Sequence, residues 1–340
     1  MGELTSRWWR ARTRAGAVLA AATLVLGVTA CGSGDDGGSS GEGGRTKVRI
    51  TATLIDTLPF MAALKIAADR GDFANAGLDV EFASASGGGN TLRALSTGDA
   101  EIAIGSPAAS VLAAQSDPRV KIVSLWAPRN GFYWIGPKEV PDLNGKKIGG
   151  SVPGATVNLL LAGIEKKQNI KFSEIVPAGG MGENWAASKS GQVVGGWAME
   201  PFITEKVQND GAKVVIDAPK TLPWFPADMV VVNKEWAEKN PEAMPSFFAA
   251  MSKVFGDIAG DPGKMAPALS KIMNIDAAII EKSIADAGIP AEEIYSFKTV
   301  PEALDTVSEL MNLSGQVSGP IDWKKIFDQQ YLPGDAKAEL

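Results

Sequence analysis

Between residues 46 and about 232, short apolar or β-branched runs alternate with amphipathic stretches. The runs predict strands at 47–54, 78–82, 100–104, 120–126, 131–136, 146–150, 193–197, 212–216 and 228–232. Helices are predicted between them, near 59–70, 90–97, 106–115, 155–168, 183–190 and 200–209. Strand and helix in alternation argue for an α/β body with mainly parallel strands. After about residue 233 the pattern becomes almost continuously helical, broken by turns at Asn240-Pro241, Asp261-Pro262 and Ile289-Pro290.

The pattern also repeats weakly within itself. GGGNTLRALSTGDAEI (87–102) lies over GMGENWAASKSGQVVG (180–195), so that Gly98 matches Gly191. Each copy reads as a glycine loop, a short helix, a glycine terminator and a strand, which predicts two similar α/β lobes with a ligand between them.

The N-terminus follows a different rule. Arg7, Arg10, Arg12 and Arg14 face a single acid, Glu3, and residues 15–28 contain only Ala, Val, Leu, Thr and Gly. A charged segment before an apolar run too short to span a bilayer is a secretory leader. Thr29 and Ala30 then precede Cys31, the only cysteine in the chain. This order reads as a bacterial lipoprotein leader over 1–30, with Cys31 lipidated and holding the protein outside the cytoplasm on the membrane. Residues 31–45 form a Gly-rich tether with a root-mean-square reach of about 20 Å, too polar to fold. Its Gly32-x-Gly34-x-x-Gly37 has the letters of a dinucleotide loop but no strand before it, and carries no weight.

Composition narrows the chemistry. The chain has 340 residues and 45% hydrophobic content, enough for a large two-lobed core. Removing the leader's net +3 from the chain's −6 leaves −9, which argues against nucleic acid as a partner. There is no histidine, and the one thiol is assigned to the lipid. Histidine bases, Cys-His pairs and His-ligated zinc are therefore excluded. No phosphate loop of the G-x-x-x-x-G-K-[ST] type occurs, and no cofactor or metal is expected. Catalysis would have to rest on carboxylates, Lys or Tyr, as in a glycosidase, and no carboxylate pair announces itself, so the composition points toward binding rather than chemistry.

In parallel α/β lobes, ligands bind where strands end and the next helices begin. The predicted junctions are Asp56-Thr57-Leu58-Pro59-Phe60, Gly105-Ser106-Pro107, Ser151 to Thr156, and Ala198-Met199-Glu200-Pro201. Exposed N–H groups at helix starts suit an anionic head group. Ser106 and Thr156 lead as its contacts, unless both only cap their helices. Arg129 falls where the chain should first pass between lobes, placed to clamp an anion, to pair with Glu200 or to stay solvated on the surface. Glu200 would repel an anion, and so either orders Arg129 or accepts a ligand N–H. Of seven tryptophans after the leader, five fall between 126 and 224. Trp197, Trp224 and Phe60 are the expected aromatic walls, with Leu58 beside them and Trp185 and Trp236 as packing.

Several segments occur in a familiar order: TLPFMAALKIAADRGDFANAGLDVEF, ALSTGDAEIAIGSP, DLNGKKIGGSVPGAT and AMEPF. Together, over about residues 47–232, they resemble the substrate-binding proteins of ABC importers for sulfonates, taurine, nitrate and thiamine pyrimidine precursors. The resemblance implies a type II periplasmic-binding fold, two α/β lobes joined by two crossovers, divided as 46–127, 128–230 and a helical 231–340 that completes the first lobe. It also implies a monomer that carries a small-molecule ligand, an organic anion or a flat aromatic, to an ABC permease and its ATPase. A related branch makes the thiamine pyrimidine, but with an active-site histidine that this chain lacks. Where the family usually has Asp-Ala after the Gly191 turn, this chain has Gly195-Gly196.

Overall fold

The computed structural model describes residues 44–85, 88–152 and 155–340. The predicted leader, Cys31 and the tether up to residue 43 lie outside the described residues, as do Pro153 and Gly154 of the loop before Thr156.

The first sheet is built from β1 (Thr46–Thr53), β2 (Leu78–Ala85), β3 (Ile102–Gly105), β4 (Val120–Trp126) and β10 (Asp228–Asn233), in the order β2-β1-β3-β10-β4. β1 pairs in parallel with both β2 and β3. β10 inserts antiparallel between β3 and β4, because it returns from the second lobe and enters the sheet from the opposite end. Its Met229–Val232 run is fully buried, the mark of a strand covered on both faces. α1 (Pro59–Asp69), α2 (Asp72–Asn75), α3 (Gly88–Thr97) and α4 (Pro107–Ser116) are the connections. Pro59 and Pro107 each open a helix at its first position, where a missing N–H costs nothing.

The second lobe is smaller. β5 (Tyr133–Gly136) pairs antiparallel with β8 (Gly196–Ala198) and β9 (Lys213–Asp217), and β6 (Lys147–Gly150) pairs in parallel with β7 (Glu174–Pro177). Two further backbone bonds, Val194 N–H to the Lys147 carbonyl (2.9 Å) and Gly149 N–H to the Gly195 carbonyl (2.8 Å), link these sheets. α5 (Thr156–Gln168), α6 (Met181–Lys189), α7 (Phe202–Asp210) and α8 (Ala218–Thr221) surround them. β7 has no counterpart among the predicted strands: it is four residues long and mostly unburied, too short for a period-2 signal.

The internal repeat is a real structural unit. α3 ends at Gly98 (φ +76°) and α6 is followed by Gly191 (φ +79°). In the first copy Gly98 N–H reaches Leu95, and Asp99 and Ala100 N–H both reach the Ala94 carbonyl; in the second, Gly191 reaches Ser188, and Gln192 and Val193 both reach Ala187. Every donor and acceptor is displaced by the same 93 positions as the sequence match. Glycine is required because the left-handed turn that closes each helix disfavours a Cβ.

The departure at Gly195-Gly196 has a packing cause. A Cβ on Gly196 would sit 2.4 Å from the Asn184 carbonyl oxygen, because α6 lies directly against the strand. The side chain of Asn184 is completely buried there and donates to the Gly150, Gly179 and Gly180 carbonyls.

Two segments pass between the sheets, 127–132 and 222–227, and they are bonded to each other. Ala227 N–H donates to the Ala127 carbonyl (2.9 Å), Asn130 N–H to the Pro223 carbonyl (3.1 Å), and Asn130 Nδ2 to the Leu222 carbonyl (2.9 Å). Arg129 and Trp224 form a backbone bridge.

The helical tail comprises α9 (Lys234–Lys239), α10 (Ala243–Gly260), α11 (Pro262–Met273), α12 (Ala277–Ala285), α13 (Ala291–Ile294), α14 (Pro301–Leu313) and α15 (Trp323–Ile326). The Asp261-Pro262 turn starts α11 as its residues dictate, with the Asp261 carboxylate accepting from Lys264 N–H. In α10, Met244, Phe247, Phe248, Met251, Phe255 and Ile258 share a buried stripe at helical spacing. Phe247 stacks on Phe73 at 5.8 Å, and Phe255 meets Trp126 at 4.8 Å, fixing the tail to the first sheet. The tail also touches the second lobe, through α12 on α7 and α14 on α5. No helix among the described residues is long and apolar enough to cross a membrane.

Candidate ligand-binding cleft

A cavity with about 510 Å³ of empty space, part of it open to solvent, lies where the crossovers, both lobes and the tail meet. Pro59 and Phe60 line it from the start of α1, Gly131 and Tyr133 from the end of the first crossover, and Met199 and Glu200 from the end of β8. The remaining wall is the segment from Ser283 to Tyr295, running from α12 through Ile289 to the end of α13. Two of the four predicted strand-to-helix junctions, those carrying Phe60 and Glu200, therefore line one cavity.

Phe60 is placed by the first turn of α1. Leu58, in extended conformation, precedes it and accepts from the Met61 and Ala62 amides, while its own side chain is buried in the core. Glu200 follows β8, and its Oε2 accepts from Thr204 N–H at 3.0 Å in the first turn of α7. Burial raises the Glu200 pKa, and the hydrogen bonds from Thr204 only partly offset this. Tyr133 is pushed up to about 12, chiefly by burial, then by the charges of Asp217 and Glu200. Tyr295 is raised further, by burial and then by Glu200. One carboxyl and two phenols thus form the ionisable wall of an otherwise largely apolar cavity.

Arg129 does not pair with Glu200. Its Nε lies 3.3 Å from Glu293 Oε2, and its guanidinium sits 4.7 Å above the Trp224 ring. Glu293 belongs to α13, so the pair ties the crossover to the tail. The partnership with Glu200 expected from sequence fails because α13, far along the chain, brings a closer acid.

The other candidates lie outside the cavity lining. Trp197 is buried, donates Nε1–H to the Gly179 carbonyl (3.0 Å) and packs against Phe132. Ser106 precedes α4 and accepts at its carbonyl from the Ser110 amide and hydroxyl, making no side-chain cap. Thr156 is the first residue of α5, and its buried Oγ1 has no hydrogen-bond partner among the described residues. Trp185 packs as expected, its Nε1–H reaching Asp210.

Met199 lies inside the predicted Ala198-Met199-Glu200-Pro201 junction but was not singled out as a contact, and sequence reasoning missed Tyr133, four residues after Arg129. It also missed the Ser283–Tyr295 wall. There the Ile-Pro turn marks a bend but nothing marks a site, since the apolar residues are fully explained by helical periodicity.

Residues 59–265 match the family described as NMT1/THI5 like, more than half of the chain. The chain belongs to the NMT1/THI5-like family. The match begins at Pro59, on the cavity wall, and ends in α11, so it spans Arg129 and Glu200 but stops short of Ser283–Tyr295. No curated protein matches. Among solved structures, the periplasmic aliphatic sulphonate binding protein of Escherichia coli aligns with a TM-score of 0.67 at 16% identity, over 86% of this chain and 94% of that one. The alkanesulfonate-binding protein of Xanthomonas axonopodis pv. citri, bound to MOPS, aligns with a TM-score of 0.67 at 14% identity, over 83% and 97%. A Candida albicans gene product described as having the generic periplasmic binding protein fold aligns with a TM-score of 0.65 at 12% identity, over 86% and 98%. At these identities the fold is what is shared, and this NMT1/THI5-like chain has the periplasmic-binding fold.

Proposed function

We propose that the chain is the extracytoplasmic solute-binding lipoprotein of an ABC importer, capturing a small organic molecule between its lobes and delivering it to the permease. The observation that carries this reading is the cavity itself: it is bounded by both lobes directly beside two crossovers that are bonded to each other, the arrangement expected of a hinged clamp. Residues 46–127 with 231–340 would move as one part and 128–230 as the other. The names of the sulfonate-binding neighbours support a transport role.

The helix starts at Ser106 and Thr156, outside the lining of this cavity, would suit an anionic group only on a ligand that extends beyond it. Cys31 would supply the lipid anchor and the tether the reach to the permease. With no histidine in the chain, the ligand should be released unchanged.

The test is to purify the full chain under native conditions, identify the retained compound by mass spectrometry, and titrate it back while following tryptophan emission. Saturable binding with recovery of the unaltered compound supports the reading; turnover of the compound overturns it. Separately, Cys31→Ser should shift the protein from the membrane to the soluble fraction while it still binds ligand. Persistence in the membrane would remove the lipoprotein part.

A further inference from the structure

Two lobes that open on a hinge need a boundary along which they can part, and a large apolar interface opposes that motion. The apolar clusters belonging to the second lobe alone are small, one around Trp185 and Ile203 and another around Val176 and Val193. Helix α5 is not in either of them. Buried apolar side chains instead run as one connected body from Ile50 of β1 through Val307 and Leu310 of α14 to Leu160 and Ile164 of α5. The tail therefore joins both lobes in one core.

The packing of α5 shows how the tail holds it. Leu159, Leu160 and Leu161 are at most 1% exposed, and three consecutive positions sweep about 200° of a helix surface. A helix covered from one side buries a narrower stripe. Here α14 and α8 both lie against it. Gly163 marks the closest approach, since a Cβ there would sit 2.6 Å from Leu310 Cδ2 and 2.9 Å from Leu222 Cδ1. Glycine weakens a helix interior relative to alanine, so its place in α5 answers to this contact. Leu222 opens the second crossover, and its carbonyl accepts from Asn130 of the first. The joint between α5 and α14 is thus seated on the hinge. At its rim Lys166 Nζ lies 3.1 Å from Glu309 Oε1 and Lys167 Nζ 3.9 Å from Glu309 Oε2.

The tail reaches the second lobe at another place. α12 packs on α7, and α13 sets Glu293 Oε2 3.3 Å from Arg129 Nε in the first crossover. That Nε is buried and makes no hydrogen bond among the described residues, so the contact rests on charge and not on a fixed direction. It can persist while the crossover turns.

We infer that α12 and α14 form a clasp: with the cavity empty they hold the second lobe in the arrangement of this structure, and the lobes part only as α5 and α7 slide along them. The motion is a shear against the tail and not a free swing about two strands of chain. Its part in ligand entry rests on the solute-binding reading above.

The test needs no ligand. Ser96 on α3 and Lys189 on α6 are exposed and occupy equivalent places in the two halves of the internal repeat. Replacing both by cysteine in the full chain carrying Cys31→Ser leaves them as its only thiols, and nitroxides attached there report the distance between lobes by pulsed dipolar resonance. The empty parent should give one narrow distance population, with separated lobes below about a tenth of the molecules, and Leu310→Ala should raise them above that level. Ile50→Ala, a comparable loss of volume in β1, should match the parent. If Leu310→Ala does not fold, the exposed pair Lys166→Glu and Lys167→Glu decides: two acids facing Glu309 should produce the separated population at low salt and lose it at high salt. A broad distribution in the empty parent, a parent-like distribution in the folded α14 or α5 variant, or equal separation in Ile50→Ala would overturn the clasp. None of these touches the solute-binding reading, which the compound retained on purification decides separately.

Discussion

The two lobes hold their sheets together by opposite means. In the first lobe, β3, β4 and β10 are buried on both faces and large side chains fill the space: Phe73, Trp126, Phe247 and Phe255 meet at centroid distances of 4.8 to 6.2 Å. In the second, strands of three to five residues meet where side chains are absent, and α6 approaches so closely that Gly149 and Gly196 have no room for a methyl group. One lobe is stabilised by apolar volume, the other by close backbone approach. The cleft inherits the contrast, with Pro59 and Phe60 from the first lobe facing Tyr133 and Glu200 from the second.

The contrast is easiest to break in the first lobe. Phe247→Ala should cost about 3–5 kcal/mol of unfolding free energy, since the ring leaves a cavity between Phe73, Trp126 and Phe248 that the sheet cannot collapse to fill. Urea unfolding reads this directly, and a loss below about 1 kcal/mol would mean that the aromatic cluster is not what anchors α10.

In the second lobe the damaging change is an addition. Gly196→Ala should cost about 1–3 kcal/mol, because the clash is with Asn184 backbone and not with a side chain able to turn away. Gly182→Ala, on the same helix but with nothing within 4 Å of the new methyl, should be neutral or stabilise by up to about 1 kcal/mol. Equal effects at the two glycines would remove the close-approach argument.

Asp228 gives a smaller effect with a definite sign. Burial raises its folded-state pKa above the unfolded value, so ionisation opposes folding, and stability declines as pH rises from the ordinary carboxylate range toward the raised value. Asp228→Asn should therefore stabilise by about 1 kcal/mol at pH 8 and by little at pH 4, seen as a melting-temperature difference that grows with pH. A difference that shrinks with pH would show that the carboxylate is stabilised in the fold. Smallest of all, Glu293→Gln should cost less than about 1 kcal/mol, since the pair with Arg129 is partly exposed and the stack on Trp224 persists.

What could be read from sequence follows the same division. Strands β3 and β10 announce themselves because burial on both faces demands near-continuous apolar runs, β1 and β4 do so through β-branched and apolar residues interrupted by a few polar ones, and α10 does so through its stripe. β7 and the displaced β8 do not, because a three- or four-residue strand at a glycine seam carries almost no period. At the cleft, Phe60 and Glu200 were legible as residues that end strands and open helices. The Arg129–Glu293 pair and the Ser283–Tyr295 wall were not, since both depend on a tail folding back across more than 150 residues, which no local pattern encodes.

The central claim is that ligand occupies the cavity bounded by Phe60, Glu200 and the 283–295 segment. Ala287, partly exposed on its lining, offers a way to fill that space without removing any contact. Calorimetric titration of Ala287→Trp with the compound recovered from the native protein should show binding weakened at least a hundredfold, with an unfolding midpoint near that of the parent. Parent-like affinity in that folded variant would place the ligand elsewhere and contradict the account.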